Sequence, residues 1–127
     1  MVSFSVIIPN YNHSSFLRQR IDSVLNQHYP HFELIILDDN STDGSRDVIE
    51  NYRNSTKVSH IVYNEQNSGS PFLQWKKGIE LAQHDWIWIA ESDDFAATGF
   101  LEQAVKTIGQ SATPCIFYVD SLSLIHI

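Results

Sequence analysis

Two patterns of hydrophobic positions alternate along the chain. In the first, short runs such as "SVIIP", "LIIL" and "WIWIA" are continuously apolar, which is typical of strands buried on both faces of a parallel sheet. In the second, apolar residues recur every three or four positions, which is the period of a helix with one buried face. The runs predict strands at residues 3–9, 32–38, 58–65, 86–91 and 114–127. The periodic segments predict helices at residues 14–27, 45–53, 70–83 and 98–109.

The first predicted helix illustrates the second pattern. The face that we expect to be buried carries Phe16, Leu17, Ile21, Val24 and Leu25. Ser14 or Ser15 is expected to be the N-cap, because a serine hydroxyl can accept a hydrogen bond from a free backbone N–H group at the start of a helix. Pro30 follows the segment and predicts a turn there.

The alternation of strand and helix predicts the fold class. Such alternation implies right-handed crossover connections between parallel strands, with helices covering both faces of the sheet. There is no internal repeat and no low-complexity linker in the sequence. We therefore predict an α/β fold, a Rossmann-like three-layer sandwich with a mostly parallel sheet, formed by residues 1–127 as a single domain.

The ends of the predicted strands carry the polar residues of most interest. In an open α/β sheet, ligands bind in the crevice beyond the carboxyl ends of the strands. The first, second and fourth strands end in "PNYN", "DDNSTD" and "ESDD". The two acidic clusters are thus expected at the same edge, where solvent and a shared cation would offset their repulsion.

Composition excludes several kinds of function. The 127 residues are 43% hydrophobic and 18% charged, which is typical of a globular protein. The formal net charge is −7 and there is no basic run, which argues against a nucleic-acid partner. Cys115 is the only cysteine and is interpreted as a buried strand thiol. Neither a signal peptide nor a membrane span is predicted, so a cytoplasmic location is expected, with peripheral attachment at the inner face of the membrane as a variant of it.

The strand ends also indicate a kind of ligand. A dinucleotide fold needs glycines in its first turn, and "PNYNHSS" has none. This turn instead offers Tyr11, on which a base could stack, and Asp39 could accept hydrogen bonds from a base or a ribose. The carboxylates of "ESDD" are suitable ligands for Mg²⁺ or Mn²⁺, which take one or two carboxylates from a protein and bind phosphate oxygens as well. The inferred ligand is a nucleoside diphosphate bridged to the protein by a divalent cation.

Purely structural roles are the alternative for each of these residues. Asp38, Asp39, Ser41 and Asp43 could be turn and capping residues, and Asp93 and Asp94 could cap the helix that follows them. Tyr11 could be a packing residue. His28 and His31 have a spacing that metal sites use, but Pro30 between them favours a turn. The interpretation as a ligand site rests on the convergence of these residues at one edge.

These motifs together resemble a known family. The stretch "SVIIPNYNHSSFLRQRIDSVLNQHYPHFELIILDDNSTDGS", followed by "NSGS" and "KKGIELAQHDWIWIAESDDF", is similar to the nucleotide-binding half of family 2 glycosyltransferases, which have the GT-A fold. The resemblance runs from Val2 to about Asp120. It implies an enzyme that transfers a sugar, with inversion, from a nucleotide-diphosphate sugar to an acceptor hydroxyl.

The resemblance also implies roles for individual residues in binding the donor, with UDP-sugars favoured. Pro9 and Tyr11 match the motif that cradles the base, and Asp39 matches the acid that pairs with it. Asn67 and Gly69 match the loop that lines the nucleotide.

The metal site and the phosphate contact are implied in the same way. Asp93 and Asp94 match the DxD region, in which one acid touches the ribose and one holds Mn²⁺ or Mg²⁺. Glu91 stands where the family commonly has Asp, so it is a further candidate metal ligand. The family often carries an arginine in the helix after the glycine loop. Here Gln74, Lys76 and Lys77 lie nearby, and Lys76 is assigned the role of neutralising the phosphates.

The last predicted strand reaches the final residue, Ile127. In the family, an acceptor-binding half that supplies the general base follows the nucleotide-binding half. We therefore expect that this half lies beyond residue 127, that the 127 residues are inactive by themselves, and that the acceptor is a saccharide or a lipid-linked sugar. The nearly uncharged "FYVDSLSLIHI" (residues 117–127) is expected to promote self-association.

Two other functions are alternatives to the transferase. A domain that binds a nucleotide sugar without catalysis would have the same motifs. A phospho-acceptor receiver module has a similar length and fold class, but it would require an acid pair after the first strand, an Asp after the third and a Lys after the fifth. The sequence has "PNYN", "YNE" and "YVD" at these places, which disfavours the receiver.

Overall fold

The computed structural model describes residues 2–110, 116–119 and 122–126, with side chains for residues 2–109. Helices and strands alternate through most of this range. In chain order the elements are β1 (Phe4–Asn10), α1 (Ser14–Leu25), β2 (Phe32–Asp38), α2 (Ser45–Glu50), β3 (Val58–Tyr63), α3 (Pro71–Leu81), β4 (Trp86–Ile89), α4 (Phe100–Gln110), β5 (Ile116–Val119) and β6 (Leu122–His126).

The strands of the described chain form a single sheet in the order β3-β2-β1-β4-β6-β5. Strand β1 pairs in parallel with β2 and with β4, and β2 pairs in parallel with β3. Strand β6 runs antiparallel to both β4 and β5. The predicted α/β fold with a mostly parallel sheet is therefore confirmed.

Two hydrophobic cores lie on the two faces of this sheet. Alternate residues of β1 separate between them, because successive side chains of a strand point to opposite faces. Val6 and Ile8 pack in one core with apolar residues of α1, α2 and α4, and Ile7 packs in the other with Trp75 and Ile79 of α3. This is the predicted three-layer arrangement.

Helix α3 approaches the sheet closely at Gly78. A Cβ atom at this position would lie 2.6 Å from Cγ2 of Ile7, which is nearer than any real contact of this kind. Glycine is thus required for α3 to lie at this distance from β1. The contact also sets which side of α3 faces the sheet.

Helix α1 differs from its prediction in two details. Its buried face carries Leu17, Arg20, Ile21 and Val24, whereas Phe16 is 51% exposed, because it lies about 100° around the helix from Leu17. The prediction of a serine N-cap is wrong as well. His13 is the N-cap, without a side-chain hydrogen bond, and the backbone N–H of Ser14 donates to Asp43 Oδ2 at 3.0 Å. The aspartate of a neighbouring loop therefore replaces the capping serine.

The carboxyl-terminal part of the chain also differs. One strand was predicted over residues 114–127, and the structure has two, β5 and β6, which pair with each other. Strand β4 offers a partner for only a short segment, so a chain that folds back pairs more of its backbone than one long strand would. Cys115 and the side chains of residues 117–127 lie outside the described part, so the predictions made for them stay predictions. None of the helices in the described part has the length and apolarity needed to span a bilayer.

Candidate functional site

A cavity of about 400 Å³ opens at the carboxyl edge of the parallel strands. This is within the range of volumes that small-molecule sites occupy. The residues that line it come from the end of β1, from the segments after β1, β2, β3 and β4, and from the first part of α3. They are Pro9, Asn10, Tyr11, His13, Asp39, Asn67, Gly69, Ser70, Pro71, Gln74, Glu91 and Ser92. The predicted edge therefore does form a concave site.

The turn after β1 presents Tyr11 to this cavity. Tyr11 keeps 46% of its surface exposed. The next residue, Asn12, has a φ of 56°, and its Oδ1 accepts hydrogen bonds from the backbone N–H groups of Thr42 (2.8 Å) and Asp43 (3.3 Å). Asparagine is among the residues that best tolerate this conformation. Asn12, which was not selected from the sequence, thus ties the turn after β1 to the turn after β2.

Asp38 does not face the cavity. It is fully buried and accepts hydrogen bonds from Asn10 Nδ2 (2.9 Å) and from the backbone N–H (2.9 Å) and hydroxyl (2.7 Å) of Ser41. Its role is that of a turn residue, as the structural alternative proposed. The expectation that both acidic clusters share a cation is wrong for Asp38, because protein donors surround this carboxylate.

Asp39 points the other way and organises the loop after β3. Its Oδ1 accepts from Asn64 Nδ2 and from the backbone N–H of Ser68, both at 2.8 Å, and its Oδ2 accepts from the Ser68 hydroxyl at 2.7 Å. Asn67 Nδ2 donates to the backbone carbonyl of Asp39 at 3.1 Å. The left-handed φ of 76° at Gly69 lets the loop turn back beside the cavity.

The acidic loop after β4 enters the site through Glu91. Its Oε1 accepts a hydrogen bond from Trp75 Nε1 at 3.2 Å. Burial raises the pKa of the Glu91 carboxyl above its usual value, and the charge of Asp93 raises it further, against the hydrogen bond from Trp75. Glu91 therefore lies in a partly desolvated, negatively charged setting, in which a cation would stabilise its ionised form.

Asp93 and Asp94 follow on the same loop but do not line the cavity. Asp93 is exposed and Asp94 is half-buried, with Asp94 Oδ1 accepting from the backbone N–H of Phe95 at 2.8 Å. Among residues 2–109, no group of three or more His, Cys, Asp or Glu side chains is arranged to hold a metal ion. His28 instead contacts Glu102 at 3.1 Å, and the ring of His31 packs against that of Tyr29.

Arg20 is a charged residue beneath this loop that sequence reasoning missed. It is fully buried on α1, and its Nε donates to the backbone carbonyl of Glu91 at 2.8 Å. The guanidinium lies 5.4 Å from the centre of the Trp88 ring. Burial lowers the pKa of Arg20 to about 10, against the charges of Asp94, Glu91 and Asp93. The sequence did contain a signal for this role, because Arg20 lies between Leu17 and Ile21 on the face of the helix that was expected to be buried.

On α3, Gln74 reaches the cavity together with Pro71, the first residue of the helix. Gln74 is buried and lines the cavity, whereas Lys76 is exposed and does not. Lys77 is half-buried and donates from Nζ to Asn64 Oδ1 at 2.6 Å. Of the predicted contacts, Pro9, Tyr11, Asp39, Asn67, Gly69 and Glu91 come together around the cavity, and Lys76, Asp93 and Asp94 do not line it.

A concave site at the carboxyl edge of a parallel sheet defines a ligand-binding α/β domain. The family described as "Glycosyl transferase family 2" matches residues 5–120 of this chain. The chain therefore belongs to glycosyltransferase family 2. The earlier alternative of a receiver module is wrong.

Among the relatives is TuaG of Bacillus subtilis, a glycosyltransferase assigned to teichuronic acid biosynthesis. It is 37% identical over 120 residues, which cover 94% of this chain and 46% of TuaG. Another is the poly(ribitol-phosphate) beta-N-acetylglucosaminyltransferase TarS of Staphylococcus aureus, 32% identical over 114 residues, which cover 87% of this chain and 19% of TarS. The chain thus spans less than half the length of either relative.

Solved structures agree with this membership. Residues 1–349 of S. aureus TarS in complex with UDP superpose with a TM-score of 0.77 at 30% identity, over 86% of this chain and 32% of that one. The Pyrobaculum calidifontis mannosyltransferase PcManGT, in complex with GDP-Man and Mn²⁺, has a TM-score of 0.81 at 18% identity, over 97% of this chain and 44% of its own. At 18% identity, the comparison with PcManGT shows the fold alone, and this fold is the expected GT-A fold.

Proposed function

We propose that residues 1–127 form the nucleotide-diphospho-sugar-binding domain of an inverting, metal-dependent glycosyltransferase. The observation that carries this proposal is that Tyr11, Asp39 and Glu91, which follow three different strands, line the same cavity. An aromatic face, an acceptor for a base or ribose, and a carboxylate able to meet a cation are the groups that a nucleoside diphosphate requires. UDP-sugars are the favoured donors.

The nucleotide would lie along the cavity with its base on Tyr11. Asp39 accepts from the base, Pro9 borders it, and the loop with Asn67 and Gly69 closes the opposite side. Support comes from TarS, a relative that has been crystallised with UDP and with UDP-GlcNAc. The contact of Lys76 with the phosphates stays a prediction, since Lys76 is exposed on α3.

The acidic loop has the donor chemistry for Mn²⁺ or Mg²⁺. Carboxylate oxygens are the ligands that these ions prefer, and Mg²⁺ typically takes only one or two of them from a protein. Asp94 and Asp93, with Glu91 beside them, would supply these ligands. When bound, the ion contributes positive charge where the leaving diphosphate becomes more negative.

The reaction that we propose transfers one glycosyl group. The oxygen of an acceptor hydroxyl forms a bond to the anomeric carbon, and the bond from that carbon to the diphosphate oxygen breaks. The leaving nucleoside diphosphate takes the electron pair, and the hydroxyl proton passes to a general base that we assign to no residue of this chain. The acceptor is a saccharide or a lipid-linked sugar, and the reaction takes place in the cytoplasm, at the inner face of the membrane where the acceptor is lipid-linked.

Titration calorimetry with UDP and Mn²⁺ tests this proposal. Tyr11→Ala should weaken UDP binding by about 1–3 kcal/mol, which is the usual contribution of a base stacked on an aromatic ring. Phe16→Ala is the matched control, because Phe16 is exposed to a similar degree (51% against 46%) but does not line the cavity. A wild-type chain that binds no nucleotide, or equal affinities for the two variants, would contradict the proposal.

A further inference from the structure

The amide of Asn64 has only one possible orientation, because charged groups of opposite sign flank it. Lys77 Nζ lies 2.6 Å from one end of the amide and Asp39 Oδ1 lies 2.8 Å from the other. An ammonium group can only donate hydrogen bonds and a carboxylate can only accept them. The end facing Lys77 must therefore be the carbonyl oxygen, and the end facing Asp39 must be the NH₂ group.

The orientation of Gln74 follows from that of Asn64. The Asn64 NH₂ group also donates to Gln74, at 3.0 Å, so the atom of Gln74 that faces it must be the acceptor Oε1. The NH₂ group of Gln74 is then the end directed away from Asn64. It has no hydrogen-bond partner among the residues that the structure describes, although Gln74 is only 3% exposed and lines the cavity. A buried donor without a partner is costly, so this NH₂ group is available for an acceptor atom on a ligand.

Asp39 presents the complementary group beside it. Its two oxygens offer about four acceptor positions, and protein donors occupy three of them, two on Oδ1 and one on Oδ2. Within the described part of the chain, one acceptor position on Oδ2 is left without a donor. Asn64 Nδ2 donates to Asp39 Oδ1 and to Gln74 Oε1, so the Asp39 and Gln74 side chains are neighbours, and both residues line the cavity.

We propose that Gln74 and Asp39 together read the edge of the nucleotide base, and that Gln74 determines base specificity. This rests on the proposed function. An adjacent acceptor and donor match a base that has a ring N–H beside a carbonyl, as uracil and guanine do. Cytosine and adenine present a ring nitrogen acceptor beside an amino group, which is the reverse pattern. The donor is therefore a nucleoside diphosphate sugar with a keto base, and Gln74 is the α3 side chain that contacts this base.

Gln74→Glu tests this directly, since it keeps the shape of the side chain and replaces the cavity-facing NH₂ with an acceptor. Gln74→Met removes the donor without adding charge, and it serves as the second variant if Gln74→Glu fails to fold. Gln103→Glu adds the same charge at an exposed position on α4 and is the matched control. Affinities for UDP, GDP, CDP and ADP are measured calorimetrically in Mn²⁺, with melting temperatures to confirm folding.

The wild-type chain should bind UDP or GDP at least about tenfold more tightly than CDP and ADP, as expected for a good two-bond contact with a base. Gln74→Glu and Gln74→Met should remove most of this preference by weakening the preferred nucleotide, and Gln103→Glu should keep it. If the Gln74 variants bind all four nucleotides more weakly to the same extent, Gln74 contacts the phosphates and the inference is overturned. Unchanged affinities for all four nucleotides would overturn it as well. If the wild-type chain binds no nucleotide, the proposed function fails as well, and this outcome is distinct from the other two.

Discussion

Asp38 and Asp39 are adjacent, yet their side chains have different tasks. Asp38 is fully buried and holds the turn after β2 through Asn10 and Ser41. Asp39 faces the loop after β3 and the cavity. Because successive side chains at a strand end point in opposite directions, one acid of the pair stabilises the fold while the other is available to a ligand.

Glu33 is a buried acid at the opposite edge of the sheet, and its role is structural. It accepts hydrogen bonds from the hydroxyls of Ser5 and Ser59, both at 2.6 Å, and from the backbone N–H of Gln83 at 2.7 Å. Burial raises the pKa of Glu33, but these bonds lower it more, so its pKa in the folded state lies below the ordinary 4.5. Its contribution to stability is therefore complete above about pH 4.5 and is lost as the pH falls through the lower folded-state value.

Glu33→Gln should accordingly destabilise the protein at pH 7, by about 1–3 kcal/mol for the loss of charged acceptors. The difference from wild type should be smaller at pH 3 than at pH 7, because below about pH 4.5 the unfolded wild-type chain takes up a proton on this carboxyl more readily than the folded chain does. Urea denaturation at the two pH values measures both quantities. Glu65→Gln, at an exposed position, is the control. A difference that stays constant from pH 7 to pH 3 would show that the charge of Glu33 is not what matters.

At the scale of elements, α1 and the segment directly after it hold the two ends of the loop that carries the acidic residues. Arg20 binds the carbonyl of Glu91 at the start of the loop. Near the end of the loop, Gln27 Nε2 donates to the carbonyl of Ala97 at 2.7 Å, and Gln27 Oε1 accepts from the backbone N–H of Leu101 at 2.9 Å. The position of the candidate metal ligands therefore depends on the packing of α1 against the sheet.

We expect Arg20→Met to weaken binding of UDP in the presence of Mn²⁺ by about 1.5–3 kcal/mol, as for the loss of a hydrogen bond from a charged donor. UDP binding measured in EDTA should change much less, because the substitution frees only the acidic loop, which carries the candidate metal ligands. Arg18→Met, at an exposed position of the same helix, is the control. If Arg20→Met weakens UDP binding equally in Mn²⁺ and in EDTA, Arg20 contributes to general stability and does not position the loop.

At the scale of the whole molecule, the net charge of −7 opposes the binding of an anion. The turn after β1 also lacks the glycines of a phosphate-binding loop. UDP should thus bind at least about tenfold (1.4 kcal/mol) more tightly with Mn²⁺ or Mg²⁺ than in EDTA. Uridine, which has no phosphate, is the control ligand and should be insensitive to the metal. Equal affinity for UDP in both conditions would rule out a bridging cation.

The edge of the sheet at β5 leads to a prediction about association. In the described chain, β5 is the last strand of the sheet order and pairs on one side only, with β6. An uncovered edge strand can pair with another chain. We expect light scattering to report a mass that rises with protein concentration, and Phe117→Lys to reduce this rise, because lysine at an edge disfavours pairing. A monomer at every concentration would contradict this expectation.

Much of the fold follows from local patterns. The continuously apolar runs determined where β1, β2 and β4 lie, and their alternation with helical segments determined the parallel sheet. The positions of Tyr11, Asp39 and Glu91 at one edge follow from the same reasoning, because each lies within two residues of the end of one of these strands. The sequence by itself therefore predicted both the class of fold and the place of the cavity.

Only the tertiary structure decided which side chains face the cavity. Gln74 and Lys76 are two positions apart on α3, and their directions depend on how the helix is rotated about its axis. The contact of Gly78 with Ile7 sets this rotation, and it directs Gln74, one turn earlier on the same face, toward the sheet and the cavity. The buried guanidinium of Arg20 and the return of the chain from β5 to β6 likewise depend on neighbours distant in sequence. The spacing of apolar residues along the chain determines which segments form helices and strands. The rotation of the helices and the pairing of the strands are set by contacts that form only when the sheet assembles.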